Sequence, residues 1–159
     1  LIMQAHLLKT IIWFIVAILV SFAVQTPMVW HGEYYFLFSN LLIVFVAIVS
    51  LRNTFEFYSI GFHKNKWLRY CILVFNLFVF IYLINRLEII LGIIDGMNVE
   101  KLIKSSSISF NETVDLLKYI KQEYLFFSMA SFVGIITYNL RLLASFWKNS
   151  QLKKEQRII

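Results

Sequence analysis

Four long apolar stretches alternate with more polar segments along the chain. They cover residues 11–30, 34–51, 67–94 and 124–147. About twenty helical residues, each rising about 1.5 Å, cross the roughly 30 Å of hydrocarbon in a bilayer. The pattern therefore predicts an all-α fold, a four-transmembrane-helix antiparallel bundle that forms a single integral membrane domain over residues 1–159.

The connectors between these stretches differ greatly in length. The first has only a few residues and leads into the aromatic segment Tyr34-Tyr35-Phe36, which predicts a tight antiparallel hairpin and an interfacial aromatic belt. The connector over residues 95–123 is long enough to be partly helical, and Ser109 with Glu112 forms a capping box, the pattern at which a helix begins. We expect this helix to run through Ile120 directly into the fourth stretch.

The first apolar stretch has a second interpretation. A basic residue followed by an apolar run is also typical of a secretory signal peptide, and Lys9 precedes this run. The segment Ala23-Val24-Gln25 is a poor cleavage site. A membrane span is therefore the favoured interpretation.

Composition supports a membrane protein. The chain is 60% hydrophobic and 15% charged, against roughly 45–50% apolar and about 25% charged in an ordinary soluble domain. A soluble fold of this size would expose much of that apolar surface to water. With one proline and five glycines, the chain has few of the turns that a many-stranded barrel requires.

Basic residues are distributed unevenly between the two predicted sides. Nine of them lie in the N-terminal segment, the second connector and the C-terminal tail: Lys9, Arg52, Lys64, Lys66, Arg69, Lys148, Lys153, Lys154 and Arg157. Because cytoplasmic segments carry an excess of lysine and arginine, both termini are predicted to lie on the cytoplasmic or matrix side. The net charge of +6 then fits contact with anionic lipid headgroups, and nucleic-acid binding is not needed to explain it.

The third apolar stretch contains a group of polar residues near its outer end. Tyr82, Asn85 and Glu88 are spaced three residues apart and share one helix face with Gly92, and Arg86 flanks them. Ionisable residues inside a membrane usually face the bundle interior or a water-filled path. One interpretation of the seam is an ion or proton path, or a pocket for a polar headgroup. The favoured interpretation is that Glu88, about 10 Å from the outer end of the helix, reaches water or a neighbouring subunit.

The fourth apolar stretch carries small residues four positions apart. Ala130 and Gly134 form a small-xxx-small pair, which allows two helix backbones to approach closely. Packing within the chain and contact with another subunit explain this pair equally well.

The same stretch contains two further polar residues, Asn139 and Arg141. Arg141 lies about 9 Å from the inner end of the predicted helix. We expect its side chain to reach towards that surface, or to meet Glu56, Asn53 or a partner chain.

The sequence predicts neither a cofactor nor an enzyme. His6 and His63 fall on the predicted inner side, whereas His31 falls in the outer connector roughly 30 Å away, so the three cannot share one metal ion. The single cysteine excludes an internal disulfide and a cysteine-clustered metal site. The chain has no phosphate-binding glycine loop, no His-Glu-x-x-His motif and no nucleophile elbow.

Several short motifs in the last three stretches have a familiar spacing. These are Glu56 ahead of Phe62-His63-Lys64, then Asn98-Val99-Glu100, and finally Leu140-Arg141-Leu142-Leu143. Their layout over residues 55–145 resembles the second to fourth transmembrane helices of polycystin-type channels, which implies a sensor-like four-helix module. A short hairpin stands where that family has a large extracytoplasmic domain, and the fourth stretch has no ladder of arginines. We therefore assign no functional residue in this chain from its resemblance to that family.

Three functions remain as hypotheses. The leading one is a non-catalytic multi-pass membrane subunit that packs its helices against other membrane protein subunits, or against copies of itself, in a larger complex. The second is an ion-conducting, proton-conducting or sensor-like four-helix module. The third is a small membrane immunity or regulatory protein.

Overall fold

The structure, a computed structural model, describes residues 2–30, 33–56, 66–96, 102–104 and 110–155. Its elements in chain order are α1 (Ile2–Trp30), β1 (Glu33–Tyr34), α2 (Leu37–Phe55), α3 (Lys66–Asp95), β2 (Ile103–Lys104) and α4 (Phe110–Glu155). All four helices are long and apolar enough to cross a membrane. The predicted all-helical fold with four candidate membrane spans is confirmed.

Helices α1 and α4 extend well beyond their predicted apolar stretches. Hydrophobicity marks only the part of a helix that lipid can cover, whereas backbone hydrogen bonds continue for as long as each residue keeps helical geometry. The 46 residues of α4 are about 69 Å long at about 1.5 Å per residue. The expected continuous run from the outer connector into the fourth stretch is confirmed. Helix α4 begins at Phe110 with Glu112 in its first turn, whereas Ser109 lies outside the described residues.

Residues 34–36 do not belong to a helix, contrary to the prediction. Tyr34 lies in β1, which pairs in antiparallel register with β2, so that Tyr34 faces Ile103 and Glu33 faces Lys104. The Tyr35 amide donates to the Leu102 carbonyl at 2.9 Å. These pairings give hydrogen-bond partners to backbone groups in this segment. If a helix began here, its first backbone N–H groups would have no partner within the helix. They join the first connector to the third at one end of the molecule, here called the ribbon end.

The main apolar core lies towards the ribbon end. Side chains from all four helices and from the connectors meet there, including the fully buried Met28, Ile43, Leu83, Ile90, Leu102, Ile120 and Tyr124. Helix α2 packs most extensively against α4, then against α1, whereas α3 contacts mainly α4. Helix α3 therefore keeps the largest part of its surface free of contact within the chain.

Gly134 lies where α2 and α4 approach each other closely. A Cβ atom at this position would overlap the Ser50 hydroxyl and would lie 3.0 Å from the Ser50 Cβ and 3.2 Å from the Leu51 amide nitrogen. One turn earlier, the Ser131 hydroxyl donates to the Ile43 carbonyl at 2.9 Å. Gly134 thus serves packing within the chain, while Ala130 is half-buried one turn away.

Replacing Gly134 with alanine is expected to destabilise the fold by about 1–3 kcal/mol, because the added methyl group has to displace Ser50 or the α2 backbone. Gly92 is the matched control, since a Cβ at that position meets nothing within 4 Å. Gly92→Ala should leave stability unchanged or raise it by up to about 1 kcal/mol. Unfolding in detergent micelles measures both variants. Equal effects of the two substitutions would contradict the close approach.

Candidate functional site

A buried hydrogen-bonded group links three helices near the ribbon end. The Asn40 amide nitrogen, fully buried in α2, donates to Glu123 Oε2 of α4 at 2.8 Å and to Gln25 Oε1 of α1 at 3.1 Å. The Met28 sulfur lies 3.4 Å from the same nitrogen. Gln25 and Glu123 are themselves 1% and 8% exposed. We call Gln25, Asn40 and Glu123 the buried triad.

Several polar atoms in and around this triad have no hydrogen-bond partner among the described residues. They are Gln25 Nε2, Asn40 Oδ1, Glu123 Oε1 and the hydroxyl oxygens of Tyr34, Tyr124 and Ser128. Burial raises the pKa of the Tyr34 hydroxyl, and the nearby Glu123 carboxyl raises it further. Tyr34 therefore stays protonated and able to donate. Unpaired polar groups in an apolar interior are costly, and in folded proteins such groups are paired with another protein group or with ordered water.

The residues of the predicted polar seam are divided between two faces of α3. The Tyr82 hydroxyl lies 3.2 Å from the Ser39 hydroxyl of α2, and the Arg86 guanidinium lies over the Tyr82 ring at 5.2 Å. Both residues are half-buried, whereas Asn85 and Glu88 are exposed. The structure thus brings Tyr82 and Arg86 together near α2 and places Asn85 and Glu88 on the outside.

Asn85 and Glu88 belong to a regular exposed stripe. The buried positions of α3 near them are Leu83, Ile90 and Ile94, and at about 100° per residue Asn85 points almost directly away from Leu83. Exposed residues recur along the outer face at alternating spacings of three and four. We call this set the α3 stripe: Cys71, Val74, Phe78, Ile81, Asn85, Glu88 and Gly92.

The polar residues of α4 singled out in the sequence contact α2 and α3. Asn139 Oδ1 accepts a hydrogen bond from Asn76 Nδ2 of α3 at 2.9 Å. The Arg141 guanidinium donates to the carbonyl of Thr54, near the end of α2. The described contact of Arg141 is thus with the backbone of the residue next to Asn53, and no contact with the side chain of Asn53 or Glu56 is described. Both contacts hold helices together in the half of the molecule away from the ribbon end.

A group of charged residues joins α1 to α2 at that same end. Glu56 lies 2.7 Å from the Lys9 ammonium and 3.1 Å from Arg52 Nη2. The largely buried Arg52 also donates to the Thr10 hydroxyl at 3.0 Å. The hydrogen bond from Lys9 lowers the pKa of Glu56 most, and the charge of Arg52 lowers it further, against an opposing effect of burial.

Sequence reasoning missed the buried triad. One signal was available, because Asn40 and Gln25 are amide side chains inside or beside otherwise apolar stretches, where a polar group has to find a partner. Glu123 stood at the border between connector and span and gave no such signal. Its partner Asn40 is 83 residues away in the chain, so spacing could not connect them.

The described residues contain no group of three or more histidine, cysteine, aspartate or glutamate side chains that could hold a metal ion. The side chain of His6, and the whole of His31 and His63, lie outside the described part. Around the buried triad, the described polar side chains are a carboxyl group, amides and hydroxyls.

Comparison with protein-family models, with curated proteins and with solved structures finds no match. The resemblance of residues 55–145 to polycystin-type channels stays a prediction. Any function proposed for this chain therefore rests on its own residues and their geometry.

The pH dependence of stability should reveal the contact between Lys9 and Glu56. Because the pKa of Glu56 lies below its ordinary value of 4.5, this contact stabilises the fold above pH 4.5, and its contribution is lost as the pH falls through the lowered pKa. Thermal unfolding in micelles at neutral and strongly acidic pH measures the effect. Glu56→Gln should lose less stability on acidification than the unmodified protein.

The matched control for this measurement is Asp115→Asn, because Asp115 is a strongly exposed acid at the ribbon end. This variant should keep the full acid-induced loss. If Glu56→Gln and the unmodified protein lost the same stability on acidification, the paired carboxylate would have no such role.

Proposed function

We propose that this chain is a non-catalytic multi-pass membrane subunit that packs against another membrane protein through the α3 stripe. Asn85 and Glu88 carry the proposal, since they are exposed on a helix of 30 residues that is otherwise apolar enough to cross a membrane. Glu88 lies seven residues before the end of α3, which is about 10 Å along the helix. An acidic side chain at the bilayer centre costs roughly 2.5–3.5 kcal/mol on insertion scales, and the cost is smaller for one that lies nearer the interface, as Glu88 does. A partner that supplies hydrogen bonds would remove much of this cost.

The spacing of the α3 stripe supports a second helix as the partner. Alternating intervals of three and four residues are the repeat with which two helices pack side by side over several turns. Asn85 and Gly92 are seven residues apart and fall on equivalent positions of this repeat. Asparagine can hydrogen-bond across a helix pair inside a membrane, and glycine allows close approach.

The charge of Glu88 favours a partner with a hydrogen-bond donor or a basic residue. Two copies of α3 that packed in parallel would bring each Glu88 close to its own counterpart, and like charges at a helix contact repel. A different chain with an amide or a basic side chain at the matching depth avoids this repulsion. The proposed partner is therefore a transmembrane helix of another protein with such a side chain.

Cross-linking in the native membrane tests this proposal. Cys71 is the only cysteine of the chain, and it is exposed on the α3 stripe. A reagent with one thiol-reactive end and one photoactivated end, which inserts into any nearby side chain, should join it to a second membrane protein. In a Cys71→Ser background, Ile81→Cys should give the same adduct, because residue 81 lies on the same stripe. Replacing Asn85 and Glu88 together with leucine should lower the yield several-fold, since each interhelical hydrogen bond in a membrane contributes about 0.6–2 kcal/mol.

The matched control is Met129→Cys, which places the thiol at an exposed apolar position of α4. This variant should give no comparable adduct. Equal adducts from positions 81 and 129, or an unmodified monomer from both, would overturn the proposal. An adduct with twice the mass of this chain would show that the partner is a second copy of this chain and not a different protein.

The proposal includes an antiparallel bundle with both termini on the cytoplasmic or matrix side. Support comes from the strand pair, which joins the first and third connectors, and from the basic residues near the opposite end, such as Lys9 and Arg52. Positive charge concentrates on the cytoplasmic side of membrane proteins. The ribbon end would then face outwards.

Thiol labelling of intact bacterial cells that produce the protein tests this orientation. In the Cys71→Ser background, Asp115→Cys near the ribbon end should react with a membrane-impermeant maleimide added outside. Trp67→Cys, at the start of α3, should react only after the cells are permeabilised. Both positions are strongly exposed, so accessibility within the fold is matched. The reverse labelling pattern would contradict the proposed orientation.

A further inference from the structure

Glu123 is a carboxyl group enclosed by the protein. Its side chain is 8% exposed, and Oε2 accepts the hydrogen bond from Asn40 Nδ2 at 2.8 Å. Its second oxygen, Oε1, has no partner among the described residues. One turn before it, the Tyr119 hydroxyl donates to the Val24 carbonyl at 2.9 Å, which holds this part of α4 against α1.

No basic residue in the described part of the chain forms an ion pair with Glu123. The nearest basic residue along α4, Lys121, is paired with Asp95 at 2.6 Å. This contrasts with Glu56 at the other end, which has both Lys9 and Arg52 as partners. A buried charge without a partner is strongly unfavourable in an apolar interior.

The described titratable groups around Glu123 carry no compensating positive charge. The phenols of Tyr34 in β1 and of Tyr119 and Tyr124 in α4 interact with it electrostatically. Helices α1 and α2 present uncharged Gln25, Met28 and Asn40. On α3, Tyr82 and Arg86 act on the Tyr124 hydroxyl. Arg86 is the single cation in this set, and its guanidinium lies over the Tyr82 ring at 5.2 Å.

The unpaired atoms of the buried triad show what would complete it. Asn40 Oδ1 and Glu123 Oε1 belong to the same hydrogen-bonded pair of side chains, and both lack a donor among the described residues. An amide oxygen and an ionised carboxylate can only accept hydrogen bonds, whereas a protonated carboxyl also donates one. A primary amide and a neutral carboxylic acid are thus complementary, with one N–H···O bond and one O–H···O bond.

We propose that Glu123 binds a proton at neutral pH and that Asn40 is the partner that holds it. Water supplies the proton, a bond forms between this proton and Oε1, and the O–H group donates to Asn40 Oδ1. Loss of the proton to water breaks that bond, sets two acceptor oxygens against each other and weakens the contact of α2 with α4. The inference concerns the interior of the bundle and does not depend on the α3 stripe.

Infrared spectroscopy of the protein in lipid nanodiscs tests the proposal. At neutral pH the unmodified protein should show the C=O stretching band of a protonated carboxylic acid. Glu123→Gln should abolish this band, and the amide that it introduces can make both hydrogen bonds to Asn40, so the fold should keep its stability. The matched control Asp115→Asn removes an exposed acid eight residues earlier on the same helix and should keep the band.

Two results would overturn the proposal. One is the absence at neutral pH of any acid band that depends on Glu123. The other is a carboxylate band of Glu123 that responds to added Na⁺ or K⁺, because a monovalent cation would then balance the charge. If Glu123→Gln does not fold, the Asn40→Ala variant tests the proposal instead. In this variant the acid band of Glu123 should shift to the frequency of a carboxyl group that has lost its amide partner. An unshifted band would exclude the proposed pair.

Discussion

The Asn40 amide is the contact on which the arrangement of α1, α2 and α4 depends. Asn40 lies in α2, and its buried side-chain nitrogen donates hydrogen bonds to Gln25 of α1 and to Glu123 of α4. In an apolar interior a hydrogen bond between side chains specifies one register, because any slip leaves buried polar groups unpaired. Apolar packing alone allows several arrangements of similar energy. The triad selects one of them, and the apolar core around Tyr124 and Ile120 then packs against it.

The two ends of the molecule are held together by different chemistry. At the ribbon end, neutral amides and phenols meet inside the core, a short strand pair joins two connectors, and the ion pair of Asp95 with Lys121 is exposed. At the opposite end, Arg52 joins Glu56 and Thr10, and Arg69 donates to Ser145 while its guanidinium lies over Phe146. Charged contacts of this kind suit a region near water and lipid headgroups, where the charges remain partly hydrated. The buried carboxyl of Glu123 is an exception to this division, because it lies among uncharged side chains with Asn40 as its hydrogen-bond partner.

Helix α3 is attached to the other helices along one side only. Its polar contacts with α4 are Asn76 with Asn139, Arg69 with Ser145, and Asp95 with Lys121. The opposite face carries the α3 stripe and contributes nothing to the fold of the single chain. The membrane-subunit function that we propose requires a stable scaffold and a separate surface for a partner. In this proposal the contact of α2 with α4 provides the scaffold, and the exposed face of α3 provides the surface.

The sequence by itself determined the number of helices and the start of α4. Both follow from local properties, namely the length of each apolar run and the capping pattern at Ser109 and Glu112. Tertiary structure decided which way the polar residues point. A periodic polar face on a membrane helix has the same sequence pattern whether it turns towards the bundle or away from it. The sequence therefore placed Asn85 and Glu88 on one helix face but did not show which way that face points. It also decided the pairing of Asn40 with Glu123, because contacts between residues 83 positions apart depend on how the helices pack.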